Sequence, residues 1–525
     1  MRRLFVGLVA VLSLSLITAQ LSVAAVTPGT KCSKAGSTST YNGKKYTCVK
    51  SGKKLVWNKG VAVAKPSPVA TPAPTPTRTQ TVAPTPSATP SPTPTSSPFV
   101  FTDVCQKDPE VPSEWATYQE FALKIFKCAR PYRFLEVKLP DSKPTSVLTA
   151  PASYQPIAEC KLPTQNNSNN LGFVKNGWQF NGDLQIQVIP VEFTDFKSSG
   201  SPAKEYGKYL DYIKEMFFKL SDGNTRITFK TPESFIQLSS ELQSYVVPGV
   251  IQKNGVYAWK QLDVPRYQKD IFNSADKVID FKGSEMGIVL VPLSVPSEYI
   301  AHGGGFRMSF VGTAEGTVRY NYLMPPASEV DNMSWFGVEP FLHLHEIFHA
   351  TGQLEDHYGD DGRGPNLGTG RWGAMSGMLT DFILWDKWLA GMLRDSQVIC
   401  GSSNQTGTYW IKPASYSGIY EKLLVVPISS TRAIVIESER AAGLNFKLSP
   451  ISEGALVYTI DTLDTQHGSG VSVIRPSNRT GPIQIGSFIL ADAPLKSGES
   501  LTVWGYKITV VESGNFGDVI KVEKV

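Results

Sequence analysis

The chain has 525 residues, which is long enough for two or three domains, and 41% of them are hydrophobic, which is enough for buried cores. Its formal net charge of +5 is small for this length and gives no indication of a nucleic-acid partner. The six cysteines, an even number, favour an oxidising compartment. Because no two of them form a CxxC pair, we do not expect a structural cysteine–zinc site.

The first 25 residues have the composition of a secretory signal peptide, with two arginines, an apolar run and then small residues. An uncleaved membrane anchor is the alternative interpretation of this segment. No later stretch is long and apolar enough to suggest a transmembrane helix. We therefore expect a secreted or cell-surface protein that acts outside the cell.

Residues 26–61 are rich in lysine, lack acidic residues and contain Cys32 and Cys48, which we expect to form a disulfide. Short runs with Tyr, Val and Trp predict a small β module. Its positive charge suits an anionic cell-wall polymer bound through residues 27–60, although a solvated basic face explains it equally well. Residues 62–99 are rich in Pro, Thr and Ser, which predicts an extended linker.

Residues 100–180 are predicted to form either an N-terminal extension of the fold or a propeptide-like region. This region begins with a helical pattern and contains a polar loop further along the chain. The simplest pairing of the remaining cysteines joins Cys105 to Cys128 and Cys160 to Cys400, although six cysteines allow about fifteen connectivities. The sequence leaves that connectivity open.

Strand and helix patterns alternate through residues 181–400, whereas short strands separated by turns dominate residues 401–525. The strand at 184–196 and the helix at 201–223, which ends at a glycine, are the clearest elements. The pattern predicts an α+β fold in which a catalytic-type domain precedes an all-β C-terminal domain. A helix with an unusual content of histidine follows from about residue 340.

Four of the six histidines lie in the stretch FLHLHEIFHATGQLEDHYGDD, residues 341–361. His345 and His349 are four residues apart, so on a helix they project from one face and can bind one zinc ion. Glu346 lies between them, where its carboxylate can act as general base toward the attacking water and then as acid toward the leaving amine. This is the HExxH pattern of zinc peptidases.

A catalytic zinc of this type takes a third protein ligand and keeps one open position. Thermolysin-like enzymes use a glutamate from a later helix, but no glutamate occurs between Asp356 and Tyr420. The other arrangement ends the helix at a glycine, here Gly352, and returns the chain to the metal within a few residues. That return segment supplies Glu355 and Asp356 as candidates for the third ligand.

The stretch HEIFHATGQLEDHY resembles the zinc helix of the immune inhibitor A family of secreted bacterial metallopeptidases, which are metzincins. The family pattern is HExxHxxGLPDxY, and this chain has one additional residue after the glycine. Aligning the Leu-x-Asp-x-Tyr part nominates Asp356, and counting from His345 nominates Glu355. One of the two is expected to bind zinc, with Asp356 preferred.

The segment GRWGAMSGM resembles the methionine turn of the same family, with Met375 as the structural methionine beneath the zinc. The resemblance extends loosely over residues 180–465. It implies a metzincin-like domain, zinc as cofactor and hydrolysis of protein or peptide substrates held against an edge strand above the metal. Two stretches are candidates for that edge strand, MGIVLVPLSV at 286–295 and RMSFVGT at 307–313.

Other polar residues near the motif have weaker assignments. His343 is two residues before His345 and points to a different helix face, so we do not expect it to bind the metal. Asp360 and Asp361 fit either a calcium site or a solvated turn. His302 precedes three glycines and has no evident partner in the sequence.

Two alternatives to a zinc endopeptidase stay open from the sequence. One is a cell-surface binding protein whose protease-like domain is inactive, which would suit the linker and the basic module. The other is an aspzincin-like zinc hydrolase that uses Asp360 or Asp361. The intact His345, Glu346 and His349 argue against the first alternative, and the methionine-turn pattern argues against the second.

Overall fold

The computed structural model describes most of the chain from residue 134 onward, together with part of the N-terminal module. The described ranges are 28–31, 35–41, 44–52, 54–62, 134–165, 170–174, 178–254, 257–296, 299, 311–323, 341–351, 354–359, 367–377, 380–464, 466–479 and 489–525. The predicted signal peptide and the linker beyond residue 62 lie outside them. The chain divides into two compact units, Met1–Thr95 and Ser96–Val525.

The first unit contains a small antiparallel sheet. Its strands are β1 (Thr38–Tyr41), β2 (Lys44–Ser51), β3 (Lys54–Trp57) and β4 (Val61–Ala62), and β2 pairs with each of the others. Tyr46 and Cys48 on β2 are buried. Cys48 is disulfide-bonded, and Cys32, its predicted partner, lies outside the described residues.

The second unit begins with a parallel sheet in the order β13-β10-β5-β6, with β7 pairing with the end of β5. Its strands are β5 (Gly182–Glu192), β6 (Thr225–Lys230), β7 (Ile236–Gln237), β10 (Met286–Leu290) and β13 (Tyr320–Leu323). Of the two candidates for the substrate edge strand, the stretch at 286–295 is wrong, because it supplies β10, which lies inside the sheet. Residues 311–313 of the other stretch lie in a separate pair of strands, and residues 307–310 lie outside the described residues, so this candidate stays a prediction.

Alternate residues of β5 pack against opposite faces of this sheet, as expected for a parallel sheet covered on both sides. Ile186 and Val188 belong to the main core, and Ile189 and Val191 belong to a second core on the other face. The covering helices are α2 (Pro202–Leu220), which connects β5 to β6, α3 (Val264–Ala275), which lies between β7 and β10 in the chain, and α4 (Phe341–Thr351), which follows β13. Among these, α2 and α4 contribute to the main core, and α3 contributes to the second.

Helix α2 confirms the sequence prediction for residues 201–223. Ser201 is the N-cap, and its hydroxyl accepts a hydrogen bond from Lys204 N–H at 3.2 Å. Pro202 follows at the first helical position. After Leu220 the chain turns through Gly223, whose φ of +74° is favourable for glycine.

Two short antiparallel pairs lie beside this sheet, formed by β8 (Val246–Asn254) with β9 (Tyr257–Leu262) and β11 (Val311–Thr313) with β12 (Gly316–Val318). Short helices are α1 (Ile157–Cys160) and α5 (Leu384–Leu389), with 3-10 turns at Pro151–Ser153, Leu242–Tyr245, Asp395–Gln397 and Pro450–Ser452. In the described part of the chain, no helix has the length and apolar character needed to cross a membrane.

The C-terminal region forms two sheets that pack on each other. The first has the order β14 (Val398–Cys400), β16 (Leu423–Pro427), β17 (Arg432–Glu439), β18 (Gly454–Asp461) and β19 (Val471–Val473). The second has the order β15 (Gly407–Ile411), β22 (Gly517–Lys524), β21 (Tyr506–Gly514) and β20 (Ser500–Val503). The strands predicted in this region are therefore confirmed.

The first of these C-terminal sheets is buried on both faces. Leu424 and Ile434 face the second sheet and share a core with it. Leu423, Val435 and Tyr458 face the other way and belong to the main core, together with α2 and α4. One apolar core therefore joins the histidine helix to the β-rich region.

The described part of the predicted extension, residues 134–165, 170–174 and 178–180, is built into the same unit. Cys160 and Cys400 form a disulfide, as predicted, and both are buried. Leu171 and Phe180 lie in the main core. This part of the chain is thus fixed to the fold by a covalent bond and by packing, whereas Cys105 and Cys128 lie outside the described residues.

Candidate metal centre

Helix α4 presents two histidines on one face and anchors itself with the opposite face. Leu344, Ile347 and Phe348 are almost completely buried in the main core. The Phe348 ring contacts the rings of Phe180 and Phe382, with centroids 4.6 and 4.7 Å apart. This packing fixes the rotation of the helix about its axis, which directs His345 and His349 to the same place.

Both imidazole rings are oriented by backbone carbonyls. His345 Nδ1 lies 2.8 Å from Ala374 O, and His349 Nδ1 lies 3.1 Å from Leu354 O. Because a carbonyl oxygen only accepts, each Nδ1 carries a proton, and in the neutral ring Nε2 keeps its lone pair. The two Nε2 atoms are 3.0 Å apart, so two potential metal ligands point at one position.

Asp356 completes this group. Its Oδ1 lies 3.1 Å from His349 Nε2 and 3.4 Å from His345 Nε2. The ligand atoms of the three residues all lie within 4.8 Å of one another, so the buried group can hold a metal ion. Two imidazoles and one carboxylate are a donor set found at catalytic zinc sites.

The charges in the group depend strongly on one another. Burial lowers the pKa of His345 to about 4. Burial also acts to lower the pKa of His349, but the contact with Asp356 outweighs it and raises that pKa to about 9. Burial acts to raise the pKa of Asp356, and the two histidines reverse this, lowering it to about 2. His349 therefore holds its proton at neutral pH, and binding of a metal ion at Nε2 would release that proton.

The two remaining acidic residues of the motif lie nearby. Glu346 is half-buried on α4 between the ligand histidines, and its charge contributes to raising the pKa of His349. Glu355 is buried beside Asp356, but it is not part of a metal-ligand group among the described residues. Of the two predicted candidates for a third ligand, the structure brings Asp356 to the histidines.

The segment predicted to form the methionine turn lies directly against the histidine helix. Residues 371–377 form a series of turns, and Met375 is completely buried. Ala374 O binds His345 Nδ1, and Met375 O accepts from His357 N–H at 2.8 Å. Met375 thus lies in a turn whose backbone orients one ligand and secures the residue that follows Asp356.

His357 forms a buried pair that the sequence analysis missed. Its Nε2 lies 3.0 Å from Asp386 Oδ1 on α5, and both side chains are almost completely buried. Burial acts to lower the pKa of His357, but Asp386 raises it above its usual value. An aspartate between two tryptophans in LWDKWL was the available signal, since a buried carboxylate requires a partner.

His467 is another residue near this group that the sequence analysis did not identify. It follows β18, and its Nε2 lies 3.4 Å from Asp356 Oδ2. Its side chain is 70% exposed, whereas that of Asp356 is 12% exposed. No local pattern in the sequence marks this histidine, because it approaches the site from the β-rich C-terminal region.

The other polar residues singled out in the sequence lie away from this group or outside the described residues. His343 is completely buried, its Nδ1 lies 2.9 Å from Tyr322 Oη, and burial lowers its pKa to about 3. It does not join the ligand group, as expected. Asp360, Asp361 and His302 lie outside the described residues, so the calcium prediction stays a prediction.

Comparisons with known proteins give no independent assignment. No protein-family model matches the chain. No curated protein matches it either. The resemblance to the immune inhibitor A family therefore stays a prediction carried by the motifs of residues 345–378.

Proposed function

We propose that the protein is a secreted or cell-surface zinc-dependent endopeptidase. The observation that carries the proposal is the convergence of His345, His349 and Asp356 on one position, with Glu346 on the same helix. Three protein ligands leave a fourth coordination position for water or substrate, which distinguishes catalytic zinc sites from structural ones. The donor set fits zinc because imidazole nitrogen and carboxylate oxygen are common ligands of that ion.

The proposed catalytic role of each group follows from where its side chain lies. A zinc ion held by His345, His349 and Asp356 would supply Lewis acidity toward a carbonyl oxygen and toward water. Glu346 takes the proton from the attacking water and transfers it to the leaving amine, since it lies beside the ligands and is partly open to solvent. Ala374 O and Leu354 O keep the two histidine rings in the tautomer that presents Nε2.

Replacing Glu346 by Gln tests the proposal, because the amide keeps the shape of the side chain and loses the base. We expect the wild-type chain to contain about one zinc per molecule and to cleave casein, and the Glu346→Gln variant to keep the metal while losing at least about 100-fold in rate. Glu355→Gln is the matched control, because this neighbouring acid is buried but lies outside the ligand group.

The outcomes separate the peptidase from its alternatives. Equal cleavage by wild type and Glu346→Gln would refute Glu346 as the base. A folded wild-type protein that binds zinc without cleaving casein or other polypeptides would favour the surface-binding alternative. A folded protein that binds no metal would contradict the proposal as a whole.

A second function, binding of an anionic cell-wall polymer, is favoured by the charge distribution. The unit Met1–Thr95 contains twelve Lys and Arg and no acidic residue, which leaves 39 basic and 46 acidic residues in Ser96–Val525. All lysines described in the first unit are exposed, namely Lys31, Lys44, Lys45, Lys50, Lys54 and Lys59. A polyanion would relieve the repulsion between them.

This binding can be tested with the full chain and immobilised poly(glycerol phosphate). We expect retention at low salt that weakens as the salt concentration rises, and its loss when the six lysines are replaced by glutamine. Replacing six exposed lysines of Ser96–Val525 is the control. Retention that is independent of the first set of lysines would contradict the proposal.

A further inference from the structure

The loop between β18 and β19 reaches the metal centre from the β-rich region. Gly359 N–H donates to Gly468 O at 2.7 Å, and Val473 N–H donates to Gly368 O at 3.0 Å. Gly468 has a φ of +80°, and a Cβ at this position would lie 2.9 Å from Gly359 O. The close approach of the two backbones therefore requires glycine. The loop is thus held against the segment that carries Asp356.

This docking places His467 on the outer side of the Asp356 carboxylate. Oδ1 of Asp356 faces the ligand histidines, 3.1 Å from His349 Nε2 and 3.4 Å from His345 Nε2. Oδ2 lies 3.4 Å from His467 Nε2. The two oxygens therefore have different partners, one toward the metal position and one toward the solvent-exposed histidine.

We propose that His467 is a positioning residue of the metal centre, which holds Asp356 as a ligand through Oδ1 alone. This role for His467 rests on the proposed metal site. The contact of His467 Nε2 with Oδ2, at 3.4 Å, restrains rotation of the carboxylate about its Cβ–Cγ bond. Groups that orient a ligand in this way typically contribute about 10- to 100-fold to metal affinity.

Through His467, the β-rich region contributes a side chain next to the ligand group. His467 comes from a hairpin of the C-terminal sheet, and Gly468 and Val473 attach that hairpin to the loop segments around the ligands. His467 is not itself in the ligand group of the described residues. Its role is therefore to hold a ligand, and its substitution should weaken metal binding without removing the three donors.

The test measures Co²⁺ binding to the metal-free full chain by competition with a chelator. We expect His467→Ala to raise the Co²⁺ dissociation constant about 10- to 100-fold and to change the visible spectrum of the bound ion. His467→Gln, which restores an N–H donor, should recover most of the affinity. Leu463→Ala is the control, because Leu463 is an exposed residue of the same loop.

Each outcome bears on the proposal separately from the peptidase activity. The melting temperatures of the metal-free variants should equal that of the wild type, so that an affinity change reports the site and not the fold. A wild-type dissociation constant and an unchanged Co²⁺ spectrum for His467→Ala would overturn the positioning role. A wild type that binds Co²⁺ but cleaves no polypeptide would refute the peptidase and leave the His467 comparison valid.

Discussion

Two glutamates on β17, Glu437 and Glu439, are buried, and they make the free energy of unfolding depend on pH. Glu437 Oε2 accepts from Leu384 N–H at 2.7 Å, and Glu439 Oε2 accepts from Asn445 Nδ2 at 2.8 Å. Burial, followed by the nearby Glu439 carboxylate, raises the pKa of Glu437 well above its usual value. Burial also raises the pKa of Glu439 to about 7, with the Asn445 bond acting in the opposite direction.

The other charged groups around Glu439 act in both directions. Asp381 adds to the rise in its pKa, while Lys387 and Arg440 oppose it. A rise from 4.5 to about 7 corresponds to roughly 3 kcal/mol of folding free energy. Because the folded pKa is the higher one, this contribution is complete below the unfolded pKa and is lost as the pH rises through about 7.

Replacing Glu439 by Gln should remove this contribution to the pH dependence, because the amide stays neutral and still accepts from Asn445. Urea unfolding should be measured at pH 5 and at pH 8. The free energy of unfolding should decrease between these two pH values in both proteins, and the decrease should be smaller by roughly 3 kcal/mol in the variant. Both proteins should carry Glu346→Gln, which prevents self-cleavage during the measurement. The exposed Glu233→Gln is the control. Parallel pH profiles for parent and Glu439→Gln would refute the reasoning.

Two further predictions concern the ligand group and the disulfide. Asp356→Ala should lose bound metal on dialysis while Glu355→Ala retains it, as measured by elemental analysis, and the reverse result would move the third ligand to Glu355. Replacing Cys160 and Cys400 by Ala should lower the free energy of unfolding by about 5 kcal/mol, because the disulfide closes a loop of 240 residues. Unchanged urea midpoints and slopes in the double variant would contradict this second prediction.

The local elements and the centre of the site were accessible from the sequence because each depends on a short pattern. The four-residue spacing of His345 and His349 needs only a helix to bring the rings together. The N-cap Ser201 and Gly223 mark the ends of α2 by the same local logic. Asp356 could be nominated because the return of the chain after the helix takes only a few residues.

The order of the strands was not accessible in this way. Residues 286–293 of the stretch at 286–295 have no polar side chain, which is typical of any strand buried on both faces. Its place inside the sheet, between β5 and β13, depends on crossover connections and not on its own residues. One of the C-terminal sheets also contributes to the main core, and the sequence did not reveal this. Both faces of that sheet are apolar, so the pattern of its strands does not show which other elements each face packs against.

The sequence signalled that Asp386 needs a partner, but which residues pair around the site could be found only from the fold, and there is a physical reason for this. A buried ligand requires partners that fix its orientation, and those partners need to be near in space but not in sequence. Asp386 reaches His357 from α5, and His467 reaches Asp356 from the β18–β19 loop. Since the β-rich region thus supplies both core packing and a contact to Asp356, the candidate metal centre is a property of the whole second unit rather than of the HExxH helix alone.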